Sequence, residues 1–170
     1  VDWKFICNQK LGGVKNMSSE LEIVITDCDH ENVNIEKEVL DNENKNFILK
    51  QCKTESDLID ECQGIPVWIN QYAPVTKTVI ESCPDLRLVI RYGVGVNNVD
   101  LDAATENGVQ VCNIPDYGTQ EVADHALALM LSLTRKIDLM IHSVKNGDWD
   151  YQNSIPIYRH SEQTIGIIGL

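Results

Sequence analysis

The feature that most constrains this chain is an alternation repeated five times. A short β-branched run is followed each time by a segment of helical spacing. The apolar runs are Glu22–Asp27, Phe47–Lys50, Ile65–Asn70, Leu86–Arg91 and Val109–Asn113. Between them lie Val33 to Leu40, an acidic segment from Thr54 to Cys62, Val75 to Cys83, and Leu101 to Asn107. Thr54 and Ser56 are candidate N-caps, Gly64 and Gly108 are stops, and Pro84 closes the third helix. Strands that alternate with helices predict an α/β fold with a doubly wound parallel sheet and helices on both faces. Ligands of such sheets bind at the carboxyl ends of the strands. That puts weight on the segments after Asp27, Asn70, Arg91 and Asn113.

After the fifth run comes a long helical segment, Thr119 to about Lys136, with Thr119 as its candidate cap and Glu121 and Asp124 at its positive end. Val122, Ala123, Ala126, Leu127, Leu129, Met130 and Leu133 cover more than one face of it. A helix that apolar is expected to be buried on most sides. A polar linker follows from Asn146 to Asn153, and Thr164-Ile-Gly-Ile-Ile-Gly-Leu170 reads as a strand with Gly at its exit.

Four places could carry chemistry. After the fourth strand stands Arg91-Tyr-Gly-Val-Gly-Val-Asn-Asn-Val-Asp100. Its glycines permit a turn whose successive N–H groups hold an anion such as a carboxylate. The same run is also a plain strand-to-helix turn capped by Asn98 or Asp100, and spacing alone favours that plainer reading. Gly169 could open a G-x-G-x-x-G phosphate turn, of which only the first glycine is present. Asp27-Cys-Asp29 lacks the companions that a magnesium-dependent phosphatase or receiver needs, so both acids read as solvated loop residues. His30, His125, His142 and His160 read as surface or packing residues, since none has a carboxylate placed by sequence to face it.

Charge and cysteine content narrow the classes further. With 14 basic and 26 acidic residues the formal charge is −12. A surface this acidic repels phosphate backbones, so neither nucleic acid nor an anionic membrane is an expected partner. The apolar stretch Ala126–Leu133 is far short of the roughly 20 residues of a membrane span. Cys7, Cys28, Cys52, Cys62, Cys83 and Cys112 form no CxxC pair, which gives a zinc site little support. With no secretory pattern at the start, the thiols are expected to be reduced and the protein cytoplasmic. Residues 1–17 carry three lysines and one aspartate, whereas 18–62 carry four lysines and thirteen acids. Residues 1–16 are therefore expected to be a loosely ordered extension.

Three stretches together resemble one family. They are Arg91 to Ala104, Val111 to Leu131, and Gly147-Asp-Trp-Asp150 with Thr164 to Leu170. The family is the D-isomer-specific 2-hydroxyacid dehydrogenases. The run Ile114-Pro-Asp-Tyr-Gly-Thr119 is similar to the branch that includes the C-terminal-binding-protein-like members. The resemblance covers roughly Leu21 to Leu170.

The resemblance implies two lobes. One is a flavodoxin-like substrate lobe, here residues 17–116. The other is a Rossmann lobe that residues 117–170 would begin with an interdomain helix and a first strand. NAD(H) and a small 2-hydroxy or 2-oxo acid would meet between the lobes, and the parent enzyme would be a homodimer. Backbone N–H groups around Tyr92, Gly93, Val94 and Gly95 would hold the substrate carboxylate, and Tyr72 would line the substrate side. Thr119, Val94 and Gly169 would meet the cofactor. The family's catalytic residues fall past Leu170, so no catalytic residue is assigned here, and the chain is expected to be an inactive N-terminal fragment. A non-catalytic, NAD-sensing regulator or corepressor on the same scaffold is the alternative.

Overall fold

The computed structural model describes residues 23–169. The expected extension, residues 1–16, lies outside them. The chain divides into two compact units that meet between Asp116 and Tyr117.

The first unit is a five-stranded, wholly parallel sheet. Its strands are β1 (Ile23–Ile25), β2 (Phe47–Leu49), β3 (Val67–Asn70), β4 (Leu88–Arg91) and β5 (Gln110–Cys112), in the order β2-β1-β3-β4-β5. This is the flavodoxin-like order that the resemblance implies, in the doubly wound parallel sheet that the alternation predicts. The helices between strands are α1 (Asn34–Asn42), α2 (Glu55–Cys62), α3 (Lys77–Ser82) and α4 (Leu101–Glu106). Register is pinned by burial. Val24, Trp68 and Val89 stand opposite one another on β1, β3 and β4, and all three are fully buried. A one-residue slip would turn that row to the other face. The Trp68 indole N–H finds the Ile65 carbonyl at 2.9 Å, so its large apolar body sits in the core with no unmet donor.

Local chemistry explains where elements start and stop. Thr54 caps α2 by accepting from the Asp57 N–H at 3.2 Å, and the Asp57 carboxylate returns a bond from the Thr54 N–H at 2.9 Å. That reciprocal box also supports the acidic residues of the first turn. Asp100 caps α4 by accepting from the Ala103 N–H. The helix expected from Val75 begins two residues later, because Val75 is bridged to Val99 in parallel fashion. The strands are shorter than the apolar runs that announce them. Pro66 has no N–H to give, and its carbonyl instead accepts from Arg87 and Leu88, so β3 starts at Val67.

The second unit is helical: α5 (Thr119–Thr134), α6 (Ile137–Lys145) and two short 3₁₀ turns at Tyr151–Ser154 and His160–Glu162. The break between α5 and α6 falls at Lys136, whose φ of 54° lies in the left-handed region. The helical spacing predicts α5 to about Lys136 and does not announce α6. Three further expectations are corrected here. No residue of α5 is buried, and Val122 and Leu133 are 70% and 75% exposed, because among the described residues of its unit the helix packs mainly against α6. Residues 164–169 form no strand, and Ile167 and Ile168 are exposed. A parallel strand needs a neighbouring ladder for its N–H and C=O groups, and the unit offers none among its described residues. Thr119 is not the cap of α5 either. Gly118 holds that position, and no side chain bonds to the first turn.

Candidate functional site

The carboxyl ends of β1, β3 and β4 meet in one polar network. At its centre is Asp27, which follows β1 and is only 6% exposed. One carboxylate oxygen accepts from the Thr26 hydroxyl at 2.8 Å and the Gln71 N–H at 3.1 Å. The other accepts from the N–H groups of Tyr72 and Ala73. The loop after β3 is thus wrapped around a buried carboxylate, which satisfies backbone donors that would otherwise be orphaned. Reading Asp27 as a solvated loop acid was therefore wrong. Of the two acids only Asp29 is in solvent.

Asn70, at the end of β3 and fully buried, carries the network onward. Its Nδ2 faces Thr26 Oγ1 at 3.0 Å, Asp27 Oδ1 at 3.2 Å and the Ala73 carbonyl at 3.1 Å. Its oxygen accepts from Asn98 Nδ2 at 2.7 Å, and Asn98 Oδ1 accepts from Arg91 Nε at 2.6 Å. A continuous chain of hydrogen bonds therefore runs from Asp27 to the Arg91 guanidinium. Sequence reasoning missed Asn70 and Asn98 as network members. The signal available was an amide at the end of a central apolar strand, where a buried polar group must find partners.

Arg91 lies against the glycine loop. A Cβ built on Gly93 would come within 2.8 Å of Arg91 Nη1, and one on Gly95 within 3.0 Å of Asn97 Oδ1. Glycine at 93 thus leaves room for the guanidinium to lie close to the backbone. Arg91 is half-buried and pairs with no carboxylate among the described residues. The four expected amides are not alike. The Tyr92 N–H donates to the Asn70 carbonyl at 2.9 Å and extends the β3–β4 ladder. The N–H groups of Gly93, Val94 and Gly95 have no partner among the described residues, while the carbonyls of Gly93 and Val94 are held by Ile114 N–H and Asn113 Nδ2. Tyr92 contributes its ring instead. Its hydroxyl donates to Glu36 on α1 at 2.9 Å, and its ring meets His30 edge to face at 5.2 Å. Burial first, then the Glu36 carboxylate, push the Tyr92 hydroxyl well above its ordinary range.

Tyr72 sits beside this network, 64% exposed, and donates through its hydroxyl to Asp29 at 3.1 Å. Gln71 clasps the same carboxylate: its Nε2 donates to Asp29 Oδ1, and its Oε1 accepts from the Asp29 N–H at 2.8 Å. The Gln71 amide and then the Tyr72 hydroxyl hold Asp29 below its ordinary carboxylate range, and Asp29 in turn raises Tyr72. The two cofactor candidates of the second unit are placed differently. Thr119 is the first residue of α5, exposed, at a helix start whose first intrahelical backbone bond is Val122 N–H to the Gly118 carbonyl. Gly169 takes φ 96°, with nothing within 4 Å of where a Cβ would stand. Among the described residues no group of three or more His, Cys, Asp or Glu is placed to hold a metal ion. No described helix is long and apolar enough to cross a membrane.

Residues 23–164 match the model of the D-isomer specific 2-hydroxyacid dehydrogenase catalytic domain. A D-3-phosphoglycerate dehydrogenase of Archaeoglobus fulgidus is 34% identical over 140 residues, which cover 80% of this chain and 26% of that relative. This chain thus spans about a quarter of that relative's length. Among solved structures, an acyclic imino acid reductase in complex with NADPH and D-Arg superposes with a TM-score of 0.70 at 22% identity, over 79% of this chain and 44% of that one. The D-lactate dehydrogenase of Aquifex aeolicus, complexed with NAD and lactic acid, gives 0.67 at 23% identity, over 76% of this chain and 38% of that one. The two structural likenesses carry the fold alone. The family match covers most of the chain, and on that ground this protein belongs to the D-isomer specific 2-hydroxyacid dehydrogenase family.

Proposed function

We propose that this chain supplies the substrate-binding part of a nicotinamide-dependent oxidoreductase that interconverts a D-2-hydroxy acid and its 2-oxo acid. The observation that carries the proposal is the row of unpartnered N–H groups at Gly93, Val94 and Gly95 beside an Arg91 with no acidic partner. In a chain of net charge −12, a half-buried guanidinium without a carboxylate is poised for an anion from outside. The family's substrates are carboxylates. At physiological salt the repulsion from acidic residues more than about 8 Å away is largely screened. On this reading the amides of Gly93 to Gly95 cradle the substrate carboxylate, Tyr92 anchors the loop through its ring, and Tyr72 lines the substrate side.

Bound there, a nicotinamide would supply hydride-transfer chemistry for the second carbon of the substrate. The residues of this chain that would hold it are Thr119, Val94 and Gly169. At the start of α5, the N–H groups of Thr119, Gln120 and Glu121 have no place in the intrahelical pattern, which suits a phosphate. Gly169, left-handed and unobstructed, suits the first turn of a pyrophosphate loop. We assign the cofactor as NAD. We assign no catalytic acid or base to this chain, and we place the substrate lobe in the unit before Tyr117 and the start of the cofactor lobe in the unit after it. The parent enzyme is proposed to be a homodimer in the cytoplasm, where the free buried thiols Cys28, Cys52, Cys62 and Cys83 are reduced unless an oxidant reaches them.

The test is an amide NMR titration of the chain with glyoxylate, pyruvate and hydroxypyruvate. Saturable shifts centred on Gly93, Val94 and Gly95, lost in an Arg91→Met variant, are expected. Shifts confined to other surfaces would overturn the reading.

A further inference from the structure

A second chemically distinctive place is the pair of thiols behind the β1–β2 side of the sheet end. Cys52 follows β2 and Cys62 is the last residue of α2, and their sulfurs lie 3.9 Å apart. Both are buried, at 3% and 0% exposure. Both belong to the hydrophobic core, but only Cys52 also lines an open cavity at the carboxyl edge of the sheet, together with Asp27, Cys28, Lys53 and Tyr72. Cys28, the other thiol on that cavity, is engaged elsewhere: its sulfur accepts from the His30 N–H at 3.4 Å. We propose that Cys52 and Cys62 are an oxidation site, in which a hydroperoxide entering the cavity oxidises Cys52 and Cys62 closes an intramolecular disulfide.

The chemistry balances with the peroxide as the sole oxidant. The Cys52 thiol gives up its proton and its sulfur attacks the peroxide. The O–O bond breaks, an S–O bond forms, and one water leaves with a sulfenic acid on Cys52. Cys62 then attacks that sulfur. The S–O bond breaks, the S–S bond forms, and a second water leaves. Two thiols lose two electrons and two protons, and one hydrogen peroxide becomes two waters. A disulfide needs its sulfurs about 2.05 Å apart, so the pair must close by roughly 2 Å. The end of α2 is suited to that movement, because the helix stops at Cys62 and Gly64 turns the chain with φ 80°. Burial, the largest cause, pushes both thiols up, and Cys52 adds next to the rise at Cys62, so each is protonated near neutral pH and the pair reacts slowly. It is therefore a site that records sustained oxidation rather than one that consumes peroxide. The Cys52 N–H donates to the Thr26 carbonyl at 2.8 Å, one residue before Asp27, so the oxidation site adjoins the polar network without using any of its side chains. None of this depends on the chain binding a 2-oxo acid.

The first measurement uses the 170-residue chain without substitution. It is exposed to hydrogen peroxide under native conditions, alkylated, and digested with trypsin. Cleavage after Lys50, Lys53 and Lys77 places Cys52 in peptide 51–53 and Cys62 in peptide 54–77. The expected product is these two peptides joined, lighter by two hydrogens than their sum, as the dominant linked species. It should disappear on reduction with dithiothreitol, and the same treatment in urea should give mixed pairings instead. A Cys62→Ala chain, unable to close, should accumulate a sulfenic acid on Cys52 that dimedone traps. The proposal is overturned if Cys52 and Cys62 remain fully alkylatable while other thiols oxidise, or if Cys52 joins Cys28 or Cys83 in their place. A dimedone adduct on Cys62 of a Cys52→Ala chain, with none on Cys52 of the Cys62→Ala chain, would also overturn it.

Discussion

Asn98 donates from its Nδ2 to the side-chain oxygen of Asn70 at 2.7 Å, and through that bond the loop after β4 is tied to the end of β3. Asn70 is fully buried and its Nδ2 faces three acceptors. Removing it takes one partner each from Thr26, Asp27, Ala73 and Asn98. The expected cost of Asn70→Ala is about 2–3 kcal/mol, from the buried hydrogen bonds lost and a small cavity. Urea unfolding with an unchanged slope would measure it. Asn98→Ala should cost less, because Asn98 is only half-buried and water can take over its role.

Asp27→Ala should be more damaging to the site than to the sheet. Its carboxylate orders the N–H groups of Gln71, Tyr72 and Ala73. Hydrogen bonds to a charged group contribute about 1.5–3 kcal/mol each before the loop relaxes. Hydrogen exchange should quicken most at residues 71–73, and less at Val24 and Val89 in the core. Equal acceleration throughout would mean that Asp27 serves the fold rather than the loop.

The Asp29–Tyr72 bond should respond to pH at both ends of its range. Asp29 is depressed in the folded chain, so what it contributes is present above the ordinary value of 3.8 and fades as pH falls through its lower folded value. Tyr72 is raised, so its share is present below the ordinary value of 10.0 and fades as pH climbs through its higher folded value. Carboxyl NMR titration should show Gln71→Ala returning Asp29 upward more than Tyr72→Phe does, since the Gln71 amide is the larger cause. The reverse order would contradict the geometry.

Trp68→Ala should be among the costliest single changes in the first unit. The side chain is fully buried and its indole N–H is satisfied by Ile65. Large-to-small changes of this kind cost about 3–5 kcal/mol. Chemical denaturation would register it, and a loss below 1 kcal/mol would mean that the core refills the space.

The second unit should make the chain associate. Val122, Leu127, Leu129 and Leu133 are exposed on α5, and full burial of such side chains is favoured by about 1.5–3 kcal/mol each. Sedimentation at micromolar concentration should show oligomers that bind a hydrophobic dye. Val122→Lys with Leu133→Lys should weaken both signals. A sharp monomer without dye binding would remove this expectation.

The same sequence reads well where period and burial agree, and poorly where they do not. All five strands were legible because Val24, Trp68 and Val89 stand in apolar runs bounded by caps and glycines. The α2 boundary was legible from Thr54, whose capping is a local event. Asp27 was misread because its partners, Gln71 to Ala73, lie more than forty residues away, and no local pattern announces a loop closing on a carboxylate. The Gly93 and Gly95 turn was legible as a turn, but the sequence could not say that Tyr92 gives its N–H to Asn70 and so leaves the cradle one amide shorter. The last residues were misread for the opposite reason. Thr164 to Gly169 has the composition of a strand, but strand formation depends on a neighbour, and composition does not supply one.

That bond from Tyr92 to Asn70 also sets what the glycine loop costs to organise. It is the last rung of the β3–β4 ladder, so the free amides of Gly93, Val94 and Gly95 begin where the ladder ends. Fixing one residue's backbone costs roughly 1–2 kcal/mol of entropy, and glycine costs the most. Here the near end of the loop is held by the sheet, and its carbonyls are held by Ile114 and Asn113 from the far side. Most of the ordering is therefore completed when the domain folds. A ligand arriving at the three amides has little backbone left to freeze, and more of its contact energy can appear as affinity.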